Sequence, residues 1–168
     1  PGALMPVPFA LMGLSAGIAN PSRDLLIRRA APPGATGRVS VASDGTQGNG
    51  ASLLENHANL SADARTIVFS SDATNLVSDD TNAASDIFVH DRQTGATTRV
   101  SVATGGAQAN GASLHPVISG NGRYVAFESH ATNLVSGDAN GRRDIFLHDR
   151  QTGQTTRLSL DSAGGQAN

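Results

Sequence analysis

The chain repeats itself. Residues 69–102 read FSSDATNLVSDDTNAASDIFVHDRQTGATTRVSV, and residues 127–160 read FESHATNLVSGDANGRRDIFLHDRQTGQTTRLSL, in register at a spacing of 58 residues without a gap. Of the 34 aligned positions 23 are identical, so the two segments are copies of one unit. A fixed period of this length marks an array of one supersecondary element and restricts the fold to architectures built by stacking it. It also restricts function, because a residue present in every copy serves first to build the unit.

One unit reads as four short strands. In the second copy these are 115–119, 123–129, 144–149 and 155–160, separated by the turn Gly120-Asn121-Gly122, a long loop, and the turn Gln151-Thr152-Gly153. Glycine supplies the positive φ that tight hairpins need. The third strand, DIFLHD, carries consecutive apolar residues, which predicts that both its faces are covered. The fourth alternates Leu158, Ser159, Leu160, the pattern of an outer strand with one wet face. The first copy follows the same plan with three extra residues near Glu55-Asn56-His57, expected in the connection before its first strand.

Four antiparallel strands per unit, none able to hide both faces alone, describe a propeller blade. The fold class expected is therefore all-β, with β-propeller blades of four antiparallel strands. About two full blades and a partial N-terminal blade are present. The expected division is 1–41 (degenerate partial blade or signal remnant), 42–102 (blade), 103–160 (blade) and 161–168 (start of a next repeat). Residues 3–19 are the most apolar stretch and read either as the tail of a secretory signal or as a worn repeat. For the second reading, Asn20 and Asp24 stand 120 residues before Asn140 and Asp144, and DLLIRR mimics DIFLHD.

Composition narrows the function classes. A net charge of -2 gives no electrostatic reason to expect nucleic acid or an anionic membrane. No apolar run reaches the roughly 18–20 residues needed to span a bilayer, so no membrane insertion is expected. Without cysteine there is neither a disulfide nor a thiolate metal site.

The segments SGNGRYVAFES and DIFLHDRQTGQTTRLS resemble the WD40-like (PD40) repeat of the TolB-type β-propellers, over about residues 58–160 and more weakly over 19–41. Two features depart from that pattern. Its turn aspartate is Asn121 in one copy, with Ala62-Asp63-Ala64 at the other turn, and the loop between the second and third strands is long. The resemblance implies an extracellular or periplasmic location and protein partners, and carries over no catalytic residue.

The best chemical candidate is the loop Asp138, Asn140, Gly141, Asp144, with its counterpart Asp80, Asn82, Asp86. Oxygen side chains at positions 1, 3 and 7 of a tight loop resemble the start of a calcium loop. The same residues also suit Asx-turns and the entry to a strand. His90-Asp91 and His148-Asp149 suggest acid–base work, but adjacent strand residues point to opposite faces, so each aspartate is expected to pin the turn that follows. Gly13-Leu14-Ser15-Ala16-Gly17 matches a nucleophile-elbow pattern, which has no place in an all-β repeat. His57, His115 and His130 do not recur. Asn59-Leu60-Ser61 fits a glycosylation sequon on an expected strand.

The functional expectation is a non-enzymatic propeller module, a scaffold or protein-interaction platform with calcium as the candidate cofactor. Its partners would be proteins or copies of itself, met through open blade edges as a homo-oligomer or polymer. The alternatives are the propeller portion of a larger secreted enzyme, such as a propeller-bearing peptidase, and a glycan-binding propeller. The latter is disfavoured by one Tyr and no Trp.

Overall fold

The computed structural model describes residues 26–28, 36–56 and 58–166. Among them there are ten strands and no helix. The strands are β1 (Leu26–Arg28), β2 (Thr36–Arg38), β3 (Ser52–Leu53), β4 (Thr66–Ser71), β5 (Asp86–Asp91), β6 (Thr97–Arg99), β7 (Ser113–Ile118), β8 (Tyr124–Ser129), β9 (Asp144–Asp149) and β10 (Gln154–Arg157). Strands β3 to β6 form one four-stranded antiparallel meander and β7 to β10 a second, each in chain order. The fold is all-β, built of propeller-type blades.

The two blades share one register. Phe69 lies opposite Phe88 and Phe127 opposite Phe146, and each pair stacks at 6.0 Å between ring centroids. All four rings are buried, and each contributes roughly 1.5–3 kcal/mol through burial. The hairpin after the third strand closes on Gly95 (φ 78°) and Gly153 (φ 72°), whose N–H groups return to the Asp91 and Asp149 carbonyls at 2.8 Å.

Alternation divides the apolar residues of each blade between two faces. In the first blade Ile67, Phe69 and Phe88 pack with Val39, while Val68, Ile87 and Val89 pack with Phe127 and Phe146 of the second blade. The first blade is thus covered on both faces, and every residue of β4 is buried. The second is covered on one face only, so β9 alternates buried with accessible residues. The third strand is covered on both sides at β5, as expected; at β9 the described residues supply a blade on one side.

Strand β1 pairs with β2 as β5 pairs with β6. Leu26 lies opposite Arg38 as Phe88 lies opposite Arg99, and Val39 then takes the place that Val100 has in the next blade. The candidates at residues 3–24, including Gly13-Leu14-Ser15-Ala16-Gly17, lie outside the described residues, as does His57.

The three-residue insertion is not in the connection before the first strand. It splits that strand. Ser52 and Leu53 pair with Ser71 and Ser70, and pairing resumes only at the Leu60–Ile67 bridge. The second blade has a β-bulge at the same place, between Leu114 and Val117, with His115 at φ 53°. An existing bulge accepts extra residues without disturbing the ladder on either side.

Two backbone positions fix local residue type. A Cβ at Gly50 would stand 2.6 Å from the Asp72–Ala73 backbone, so the connection entering the blade passes too close for any side chain. Ala64 holds φ 55° where the second blade has Gly122 at 72°. Alanine in the left-handed region is strained and glycine is not. Ala64→Gly should therefore stabilise the protein by about 1 kcal/mol, read as a higher denaturant midpoint at an unchanged slope.

Candidate functional site

Four of the six residues singled out as calcium ligands, Asp80 and Asp86 in one blade and Asp138 and Asp144 in the other, converge on an arginine. In the first blade the loop after β4 supplies Asp79, Asp80 and Asn82, and β5 begins with Asp86. Arg99 ends β6 with its side chain 4% exposed, against 2% for Asp80 and 0% for Asp86. Its Nη2 donates to Asp79 Oδ2 at 2.9 Å, and its Nη1 stands 3.8 Å from Asp80 and 3.9 Å from Asp86. Ser101 Oγ donates to Asp86 Oδ1 at 2.5 Å, and Gln108 Nε2 donates to Asp80 Oδ1 at 2.9 Å and to Asp86 Oδ2 at 3.2 Å. The second blade repeats the cluster with Asp138, Asp144, Arg157, Ser159 and Gln166.

Burial pushes the Asp86 carboxyl up, against the pull of the Ser101 hydroxyl, the Gln108 amide and the Arg99 charge. The guanidinium takes the part a cation would play. The Asn82 oxygen is occupied as well, accepting the Ala84 N–H at 3.0 Å in an Asx-turn, as Asn140 accepts from Arg142 at 2.9 Å. Among the described residues no three His, Asp or Glu stand together as a metal site. Buried Asp138 Oδ2 makes no hydrogen bond, and neither do Nε and Nη1 of both arginines. In the second blade Arg157 Nη1 stands 3.6 Å from Asp138, and in the first Arg99 Nη1 stands 3.8 Å from Asp80, so the opposite charges of each cluster balance through space.

The histidine–aspartate pairs are also structural. His90 Nδ1 and His148 Nδ1 lie 2.9 Å from Thr97 Oγ1 and Thr155 Oγ1, and burial pushes both imidazoles down, towards the neutral form. Asp91 and Asp149 point away from them. Asp91 Oδ1 accepts the Gln93 and Thr94 N–H groups of the turn at 2.8 and 3.2 Å, and Asp149 Oδ1 accepts that of Gln151 at 2.9 Å. Each aspartate also pairs with an arginine of the second strand, Arg65 and Arg123, at 2.6 Å. The Arg65 hydrogen bonds hold the Asp91 carboxyl down to about 2. Of the single histidines, His115 bridges the blades. Its N–H donates to Glu55 Oε2 at 2.7 Å and its ring contacts Glu128 at 3.1 Å. The sequon side chain, Asn59, is buried and donates to the Val68 and Pro116 carbonyls, so it is not presented for glycosylation.

A recurrent element that motif reasoning passed over joins the blades. Gln-x-Asn stands at 47–49, 108–110 and 166–168, in the connection leaving each fourth strand. Gln108 reaches back to the carboxylates of the first blade. Asn110, two residues on, donates to Thr132 Oγ1 and accepts the Thr132 N–H, both at 2.9 Å, in the second blade. Asn49 makes the same pair of bonds to Thr74, at 3.0 and 2.8 Å. A groove of about 560 Å³ runs along this seam, lined by Thr104, Leu134, Val135, Thr155 and Leu160. An equivalent groove of about 450 Å³, including Ser43, Leu76, Val77 and Thr97, lies at the preceding seam.

Four-stranded meander blades, stapled through buried polar clusters, define a repeat protein of the propeller class. No protein-family model matches the chain, and no curated protein matches it. Solved structures do resemble it, two TolB proteins among them. One is a protein assigned as TolB from Agrobacterium tumefaciens, at 23% identity and TM-score 0.40, over 63% of this chain and 30% of that one. The other is TolB from Acinetobacter baumannii, at 17% identity and TM-score 0.42, over 74% of this chain and 24% of that one. The chain thus spans about a quarter to a third of the length of either.

Two outcomes follow from the clusters. Arg99→Met strips the buried carboxylates of their counter-charge and should cost about 3 kcal/mol by denaturant titration, while added calcium leaves the wild-type melting temperature unchanged. Asp91, depressed from 3.8 to about 2, contributes stability that is fully present above pH 3.8 and is lost as pH falls through about 2. Asp91→Asn should therefore be less stable at neutral pH and lose less on acidification across that window, measured by thermal melts.

Proposed function

We propose that the chain is a non-enzymatic β-propeller repeat module, a scaffold or protein-interaction platform of the extracellular or periplasmic space. Its partners are proteins, copies of itself included, that meet blade surfaces left open. The observation that carries this reading is the outer face of the second blade, where Tyr124, Ile145 and Leu158 are exposed. Exposed apolar side chains on one sheet face support a protein contact.

The polar groups support the same reading. Asp, His, Ser and Gln side chains that could serve chemistry are engaged in turns, staples and buried ion pairs in both blades. Nothing in their arrangement points to a reacting group, and their recurrence ties them to construction. An extracytoplasmic setting agrees with a cysteine-free chain.

Light scattering on the purified chain tests the assembly part of this proposal. The expected result is a discrete multiple of 17.1 kDa, or a polymer, with the larger species favoured by concentration. A mass of 17.1 kDa throughout a hundredfold concentration series would sink self-assembly.

A further inference from the structure

The sequence holds four Asn-Gly pairs, Asn49-Gly50, Asn110-Gly111, Asn121-Gly122 and Asn140-Gly141. An asparagine followed by glycine carries a reaction partner next to it. The glycine nitrogen can attack the side-chain carbon Cγ and close a cyclic imide, a succinimide. Glycine favours this step because it has no Cβ to block the approach and its backbone turns readily. The fold decides which pair can react. The step needs a glycine nitrogen outside any hydrogen bond, space for the ring, and a donor for the charge that develops on Oδ1.

Three pairs are held. Asn49 and Asn110 each donate to and accept from one threonine, Thr74 and Thr132. The glycine after each lies against backbone, its Cβ position 2.6 Å from Asp72 at Gly50 and 3.0 Å from His130 at Gly111. At Asn121 the nucleophile itself is engaged. The Gly122 N–H donates to the Ser119 carbonyl at 2.8 Å, and Arg150 Nη1 donates to the Gly122 carbonyl at 2.5 Å. At Asn140 the glycine side is open. Gly141 is exposed, nothing beyond its chain neighbours stands within 4 Å of its Cβ position, and among the described residues nothing accepts its N–H. The Arg142 N–H donates to Asn140 Oδ1 at 2.9 Å, so a donor already stands where the oxyanion of the tetrahedral intermediate forms. The first blade has the same turn, with the Ala84 N–H on Asn82 Oδ1 at 3.0 Å, but Ala83 (φ 52°) replaces Gly141 (φ 63°). The two turns differ at the attacking residue by one Cβ.

We propose that Asn140 is a site of spontaneous modification, deamidating through a succinimide with Gly141, while the fold preserves the other three Asn-Gly pairs. The Gly141 nitrogen bonds to Cγ of Asn140 and gives up its proton. The Cγ–Nδ2 bond breaks, and ammonia leaves with that proton. Water, the one co-reactant, then opens the ring. Cleavage at Cγ leaves an aspartate, and cleavage at the main-chain carbonyl leaves an isoaspartyl link whose backbone runs through Cβ. Either product places a new carboxylate between Asp138 and Asp144, in the loop that brings both to Arg157. The change is confined to the second blade, since alanine follows Asn82 in the first.

The test holds the full chain folded at mildly alkaline pH for weeks, beside a sample kept unfolded in urea, and follows the peptides of both by chromatography and mass spectrometry. In the folded chain the Asn140 peptide should convert, gaining the mass difference between OH and NH2 and splitting into aspartyl and isoaspartyl products. The peptides of Asn49, Asn110, Asn121 and Asn82 should stay unchanged. In urea all four Asn-Gly pairs should convert together, which separates protection by the fold from an effect of neighbouring sequence. Gly141→Ala should abolish the conversion in the folded chain. That variant is expected to fold, because Ala83 occupies the same turn with the same sign of φ. Three results would overturn the proposal: folded Asn140 converting no faster than the other three pairs, Asn140 persisting in the folded chain while it converts in urea, or Gly141→Ala converting at the wild-type rate.

Discussion

Everything in this structure depends on a sheet that is apolar on both sides. The central strands of each blade place phenylalanines on one face and Val, Ile or Leu on the other. A four-stranded meander has no way to cover either face itself. Stacking is therefore a condition of folding. The first blade meets it with Val39 behind and the second blade in front, which is why the six residues of β4 are all buried. The second blade meets it on one side. Stability in such an array is local and nearest-neighbour, so the bare face of one blade is felt at one seam and hardly beyond it.

Apolar faces alone would let blades slide or rotate against one another. The buried Asp–Arg–Gln clusters remove that freedom. A carboxylate such as Asp86 is costly to bury, and its partners arrive from three separate stretches: Arg99 from the fourth strand, Ser101 just after it, and Gln108 from the connection. All must be present together for the charge to be tolerated. Asn110 then couples that connection to Thr132 of the next blade. The polar seam thus sets the register that hydrophobic burial cannot set.

How much of this was legible in the sequence follows from the range of each interaction. Strand β9 was readable at its observed limits, because Asp144–Asp149 is a short apolar run bounded by turn residues. The turn-pinning part of Asp91 and Asp149 was readable too, since strand geometry separates them from their histidine neighbours. The insertion was misplaced because a bulge leaves no mark in hydrophobic alternation; only the unlike pair His115-Pro116 hinted at it. The calcium reading stopped at the local spacing of Asp138, Asn140 and Asp144. What decides their chemistry is Arg157 and Gln166, 19 and 28 residues beyond Asp138, and loop spacing cannot reveal such partners. The repeat could have. Arg99 and Gln108 stand at the same offsets from Asp80, and a cation that recurs with its carboxylates is their natural counter-ion.

The second blade's outer face keeps the chemistry of the covered face one repeat earlier. The exposed positions on β9 and after β10 keep Ile145 and Leu158, where Ile87 and Val100 are buried one repeat earlier. Glu128 and Arg143 interrupt the aliphatic side chains as an ion pair, at the place where Ser70 binds Glu55 in the covered seam. The aliphatic positions are thus of one kind in both blades, and the polar position, Ser70 in one and Glu128 in the other, is what differs.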